Sequence, residues 1–179
     1  MTSRILNLAK VPFQDWGNGD GFEAKIAWVG ALIGSEKLGF NVTVIAPGKA
    51  AFPYHCHATN EEMFFVLEGR GRIRVGGESH PIRAGDFISM PPGREYAHQI
   101  INNSKAPLKF LAVSTMQIPE VSEYPESGKL GVFAGTPTGR PPAPGAIRKL
   151  FRAGDDVNYW EGETGPVRSR TRSKRKSAG

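Results

Sequence analysis

The stretch Pro53 to Gly69, PYHCHATNEEMFFVLEG, sets two histidines on either side of the only cysteine in the chain. Three chemistries use such residues: a zinc site built on a thiolate, a cysteine nucleophile with a histidine base, and a metal held by imidazoles without the thiol. Strand geometry separates them. Successive side chains on a β-strand point to opposite faces, so His55 and His57 share one face and Cys56 takes the other. Thiolate zinc sites usually gather several cysteines, often as C-x-x-C pairs, and none exists here. A nucleophilic thiol needs a base within reach, and both neighbouring imidazoles face away from it. Cys56 therefore reads as a small packing residue. What remains is a two-histidine metal clamp, and a clamp needs further ligands. Glu62 opens the strand EMFFVLEG, and His98 opens a later one in AHQIIN.

These side chains are expected on short strands joined by tight turns. Gly 22 and Pro 14, with few long helical patterns, favour such a fold. From Gly39 the pattern is sharp. GFNVTVIAPG reads as a strand closed by a Pro-Gly turn, EEMFFVLEG as a strand ending at Gly69, and GRIRVGG as its hairpin partner. FISMPPG, AHQIINN and LKFLAVST follow as further strands. Residues 1–38 form an N-terminal segment in which WGNGDG is a loop and IAWVGALIG is undecided by periodicity. After Gln117 the strand pattern dissolves into a Pro/Gly-rich excursion, PEVSEYPESGKLGVFAGTPTGRPPAPGA. It is expected to lie over the barrel or over a partner subunit. KLFRAGDDVNYWEGE is expected to dock back and bury Phe151, Tyr159 and Trp160. The division is thus 1–38, a barrel core at 39–118, a C-terminal extension at 119–164 and a basic tail at 165–179.

With the strands in place, two motifs resemble those of the cupins, a family of small jelly-roll barrels. Gly48, His55, His57, Glu62 and Gly69 match the first, with six residues after Gly48 where about five are usual. Gly85, Pro91, Gly93, His98 and Asn102 match the second. There, Arg94-Glu95-Tyr96-Ala97 separate Gly93 from His98 where two residues are usual, which should widen the loop at the mouth of the site. The resemblance implies an all-β cupin jelly-roll barrel with a short N-terminal segment and a Pro/Gly-rich C-terminal extension. It also implies that His55, His57, Glu62 and His98 bind one divalent transition metal inside it. Three neutral imidazoles and one carboxylate leave a net single positive charge on the ion and leave coordination positions open for water or substrate. That donor set suits Mn, Fe, Co, Ni or Zn and does not choose among them.

Strand parity places Phe64 and Val66 on the face of Glu62 as an apolar wall, and Ile100 and Asn102 on the face of His98. Glu61 should point away from the metal. Asn102 is expected to organise the turn in NNS, and His80 to be exposed. Arg94 and Tyr96, in the lengthened loop, are the catalytic candidates. A cupin fold does not specify one activity. The reading taken forward is a metal-dependent enzyme on a small polar oxygenated metabolite, with sugar-phosphate isomerase- or epimerase-like chemistry. Its metal would polarise a carbonyl, Tyr96 would move the proton and Arg94 would meet a phosphate. The alternatives are a non-haem iron or nickel dioxygenase and a non-catalytic, small-ligand-binding or regulatory cupin.

Composition bounds the setting. The 179 residues suffice for one domain. No apolar run is long enough for a signal peptide or a membrane span, and a single cysteine forms no internal disulfide, so a cytoplasmic protein is expected. The net charge of +6 belongs to Arg168, Arg170, Arg172, Lys174, Arg175 and Lys176, and the rest of the chain is balanced. No helix-turn-helix pattern or interleaved aromatics accompany this run, so a solvated tail is expected rather than a nucleic-acid contact. A homodimer is expected, because a small barrel has sheet edges to protect.

Overall fold

The computed structural model describes residues 4–137 and 139–165. The basic run from Arg168 to Lys176 lies outside the described residues. The strands in chain order are β1 Gln14–Gly17, β2 Glu23–Ala27, β3 Leu38–Ile45, β4 Cys56–His57, β5 Glu62–Glu68, β6 Arg70–Val75, β7 Glu78–Arg83, β8 Phe87–Met90, β9 His98–Ile101, β10 Leu108–Thr115, β11 Glu120–Tyr124, β12 Lys129–Ala134 and β13 Ile147–Arg152. A single helical turn, α1, spans Val29–Leu32.

One sheet runs β1-β2-β3-β10-β5-β8. Two smaller sheets, β7-β6-β9 and β13-β12-β11-β4, complete the fold. The backbones of His55 and His98 exchange hydrogen bonds of 3.0 and 2.7 Å between these two, so two of the candidate ligand residues join them.

The sequence shows why β5 and β10 lie at the centre of the large sheet. Phe64 and Val66 on β5, and Leu108, Phe110 and Ala112 on β10, point inward. There they meet Ile73, Ile82 and Ile100 from the sheet opposite. The alternate residues are apolar too. Leu67 and Leu111 pack outward with Val42 and Ala27 under a cover of Val29, Ile33, Leu6 and Val11. Apolar side chains on both faces explain the unbroken MFFVL run. Leu108 is fully buried at the centre of the inner cluster. Leu108→Ala is expected to cost about 2–5 kcal/mol, read as a shift of the denaturation midpoint.

Turn glycines hold the strand ends close. Gly69 has φ +84°, and a Cβ there would sit 2.4 Å from the Pro107 carbonyl oxygen. This is a backbone crossing that only glycine permits.

Three readings of the sequence change. In IAWVGALIG, Ile26 and Ala27 end β2 and the next residues make α1. The excursion after Gln117 contains β11 and β12, with β13 directly after it, and β11 pairs with β4 through Ser122↔His57 and Glu123↔Cys56. The barrel wall thus continues past residue 118. Finally, Phe151, Tyr159 and Trp160 are exposed, not docked. β13 is an edge strand, and Tyr159 packs edge-on against Trp160 with centroids 4.7 Å apart.

Candidate metal centre

Parity on β4 and its approach turns His55 and His57 into the barrel and Cys56 into a separate buried cluster with Tyr54 and Ala97. β5 begins with Glu62 facing inward, while Glu61 is exposed. β9 begins with His98, buried beside Phe64 at a centroid distance of 5.4 Å. Ligand atoms of His55, Glu62 and His98 all lie within 4.8 Å of one another. Nε2 of His98 is 3.2 Å from Oε2 of Glu62, and Nε2 of His57 is 3.4 Å from the same oxygen.

The opposite ring nitrogens explain these orientations. Nδ1 of His55 lies 2.8 Å from the Pro53 carbonyl, and Nδ1 of His98 lies 3.0 Å from the Tyr96 carbonyl. A carbonyl only accepts, so each Nδ1 carries the proton and each Nε2 presents a lone pair. Nδ1 of His57 faces Oε1 of Glu120 at 3.7 Å and the Ser122 hydroxyl at 3.4 Å. Glu120 is only 2% exposed. Its carboxylate accepts from the backbone N–H groups of Ala58 at 3.0 Å and Asn60 at 2.9 Å, and from the Asn60 side-chain amide.

Electrostatics follow from this layout. Burial, with His98 and His57 adding, lowers the pKa of His55 to about 3. Burial also works against charge on His57, but Glu120 and Glu62 at its two nitrogens outweigh it and raise its pKa to about 10. Burial would raise Glu62, yet His57 and His98 hold it well below the usual carboxylate range. Nε2 of His57 and of His98 are buried and make no hydrogen bond among the described residues. The unpartnered Nε2 of His98, aimed at Glu62, is what a bound cation would satisfy; such a cation would take the place of the proton that Glu120 and Glu62 hold on His57, and the His/Glu donor set is compatible with a divalent metal.

The site forms part of the lining of a cavity of about 560 Å³. Trp16, Trp28, Phe52, Phe64, Phe110 and Phe133 give it aromatic walls. Asn41, Gln99, Ser122, Tyr124, Arg140 and Arg148 add polar groups. Tyr124 stacks on His55 with centroids 5.9 Å apart and planes 21° apart, and burial pushes its phenol pKa up.

Arg94 and Tyr96 are not among the residues that line this cavity. The longer loop winds into a 3-10 turn over Arg94–Tyr96. The Arg94 guanidinium pairs with Glu123, whose position on β11 is turned away from Ser122 and the site. Tyr96 contributes its backbone carbonyl to His98. Val66 lies in the core rather than the cavity, whereas Phe64 and Ile100 line it. Asn102 organises its turn, donating to the Ile45 and Ala106 carbonyls at 2.9 and 2.8 Å. His80 is exposed beside Glu78. Glu120, Ser122, Tyr124, Arg140 and Arg148 were not singled out from the sequence.

Cys56 is buried on the far face, and burial pushes its thiol pKa up. Cys56→Ser is expected to keep full metal content, and native Cys56 to resist alkylation at neutral pH until the protein is unfolded. Metal analysis and a timed thiol titration check both.

Residues 41–114 match the family model described as Cupin domain, so this stretch is a cupin domain and the barrel around it is the cupin fold. The chain is 40% identical over 60 residues to an uncharacterised protein of Methanocaldococcus jannaschii, covering 34% of this chain and 46% of that one. It is 29% identical over 62 residues to quercetin 2,3-dioxygenase of Bacillus subtilis, covering 34% of this chain and 18% of the enzyme. These matches span less than half the length of either relative. A solved structure from Acidithiobacillus ferrooxidans, assigned only provisionally as a sugar phosphate isomerase, superposes with a TM-score of 0.70 at 24% identity, covering 87% of this chain and 96% of that one.

Proposed function

We propose that the protein is a metal-dependent enzyme acting on a small polar oxygenated metabolite, with sugar-phosphate isomerase- or epimerase-like chemistry. The observation that carries the reading is the cluster of His55, Glu62 and His98, with His57 3.4 Å from Glu62, on the wall of a cavity of small-metabolite size. These four side chains would hold one divalent metal, which when bound supplies Lewis-acid polarisation of a carbonyl. Tyr124, stacked on His55 with its proton held at neutral pH, would give that proton to an oxygen and take it back. Phe64 and Phe110, edge-to-face at 5.8 Å, exclude water from one wall. The provisional assignment of the Acidithiobacillus protein supports the isomerase branch.

The test is solvent deuterium exchange. Metal-loaded protein is mixed with aldose and ketose phosphates in D2O, and proton NMR is read for label at the carbon next to the carbonyl. Label with interconversion is expected, falling about 100-fold or more in Tyr124→Phe. The aromatic walls and the match to quercetin 2,3-dioxygenase favour a second reading, oxygen chemistry. Oxygen uptake without label would move the assignment there, and neither signal would leave a binding protein.

We also propose a homodimer. Ile147 and Phe151, on the face of the β13 edge strand opposite Leu150, are exposed, as are Val157, Tyr159 and Trp160 further on. Light scattering is expected to give about twice 19.4 kDa; a monomer would remove the idea. Among the described residues no helix is long and apolar enough to cross a membrane.

A further inference from the structure

Arg140 and Arg148 both line the cavity walled by the His/Glu cluster, and neither makes an ion pair among the described residues. Other arginines do: Arg74 binds Glu126, and Arg94 binds Glu123. Among the described residues the only carboxylate on the cavity wall is Glu62, already engaged by His57 and His98.

The two guanidinium-bearing segments are built into place. Arg148 lies opposite Phe133 in the β12–β13 register, with its guanidinium carbon 6.0 Å from the centre of that ring. It also donates from Nη2 to the Arg140 carbonyl at 3.1 Å, tying the two segments together. Strand parity puts Leu150 on the same face, and Leu150 lines the cavity as well. Gly139, just before Arg140, has φ +76°, and a Cβ there would stand 3.1 Å from the Trp28 ring. The chain is thereby laid against the cavity's tryptophan wall. Two cationic residues lining one cavity without a counter-charge leave it electropositive, and a bound dianion would supply the missing charge. Planar guanidinium forks match phosphate oxygens two at a time.

We propose that Arg140 and Arg148 form an anion clamp that receives the phosphate of a phosphate monoester whose oxygenated end faces the metal ligands. The inference rests on reading the cavity as a substrate site and names the group that selects the substrate. It places specificity in residues that follow the matched cupin domain rather than inside it.

The test uses full-length, metal-loaded protein and inorganic phosphate in isothermal titration. Wild type is expected to bind phosphate, and the Arg140→Gln/Arg148→Gln variant to bind it at least roughly 10-fold more weakly. Arg94→Gln, on an exposed side chain paired away from the cavity, is expected to match wild type. Metal content and melting temperature are measured in each protein as fold controls. Equal phosphate affinity in wild type and the double variant would overturn the clamp, because the anion would then be sitting on the metal or elsewhere. No phosphate binding by wild type would overturn it too. The isomerase reading fails separately: phosphate bound through the two arginines with no turnover of any sugar phosphate keeps the clamp and removes the isomerase.

Discussion

Replacing His98 by alanine is expected to leave a folded protein that no longer holds metal. The ring sits almost fully buried at the start of β9, with Nδ1 against the Tyr96 carbonyl and Nε2 3.2 Å from Glu62. Its backbone bonds to His55 survive the substitution, so the link between the two small sheets remains. What is lost is one of the lone pairs on which a cation depends. Removing a residue that merely orients a ligand costs about 10–100-fold in metal affinity, and removing a ligand is expected to exceed that. His57→Ala should behave the same way. Dialysis against a metal buffer followed by elemental analysis reads the effect, with circular dichroism confirming the fold. Full stoichiometry in both variants would show that the ligand set is wrong.

The second large effect is expected at Glu120. This carboxylate is buried, accepts from the Asn60 backbone and side-chain amides, and stands 3.7 Å from Nδ1 of His57. Glu120→Ala strips the Asn60 N–H of its acceptor and opens a void, which is expected to cost on the order of 2–4 kcal/mol. Glu120→Gln keeps the volume and removes the charge. Its expected signature is a loss of about 10-fold or more in metal affinity with a folded spectrum, because His57 loses the negative charge facing Nδ1 that raises its basicity as a ligand. Wild-type affinity in folded Glu120→Gln would show that the residue serves only the loop at 58–60.

The grouping of the candidate ligands was legible because the constraints on them are local. A strand period of two separates His55 and His57 from Cys56 and Glu62 from Glu61, and turn glycines such as Gly69 sit where backbone crossings exclude a side chain. β3, β5, β8 and β10 of the large sheet were legible because they are apolar, whereas β1, which takes Trp16 and Gly17 from the expected loop WGNGDG, is exposed at every position and carries no such pattern.

β11 was missed for the opposite reason. Its buried positions are Glu120 and Ser122, so its inward face is polar and a hydrophobic pattern does not find it. The signal that was present is the alternation Glu120, Ser122, Tyr124 itself, a polar strand facing a polar site. Arg140 and Arg148 were hidden by distance along the chain, since only the β12–β13 pairing and the loop against Trp28 bring them to the cavity. Arg94 and Tyr96 drew notice by sequence proximity to His98. The 3-10 turn spends them on Glu123 and on the backbone behind His98 instead.

The most direct measurement is elemental analysis of tag-free protein purified anaerobically without added metal or chelator. The account predicts about one divalent transition-metal ion per chain. No metal at all, even after reloading with manganese, iron, cobalt, nickel or zinc, would contradict it.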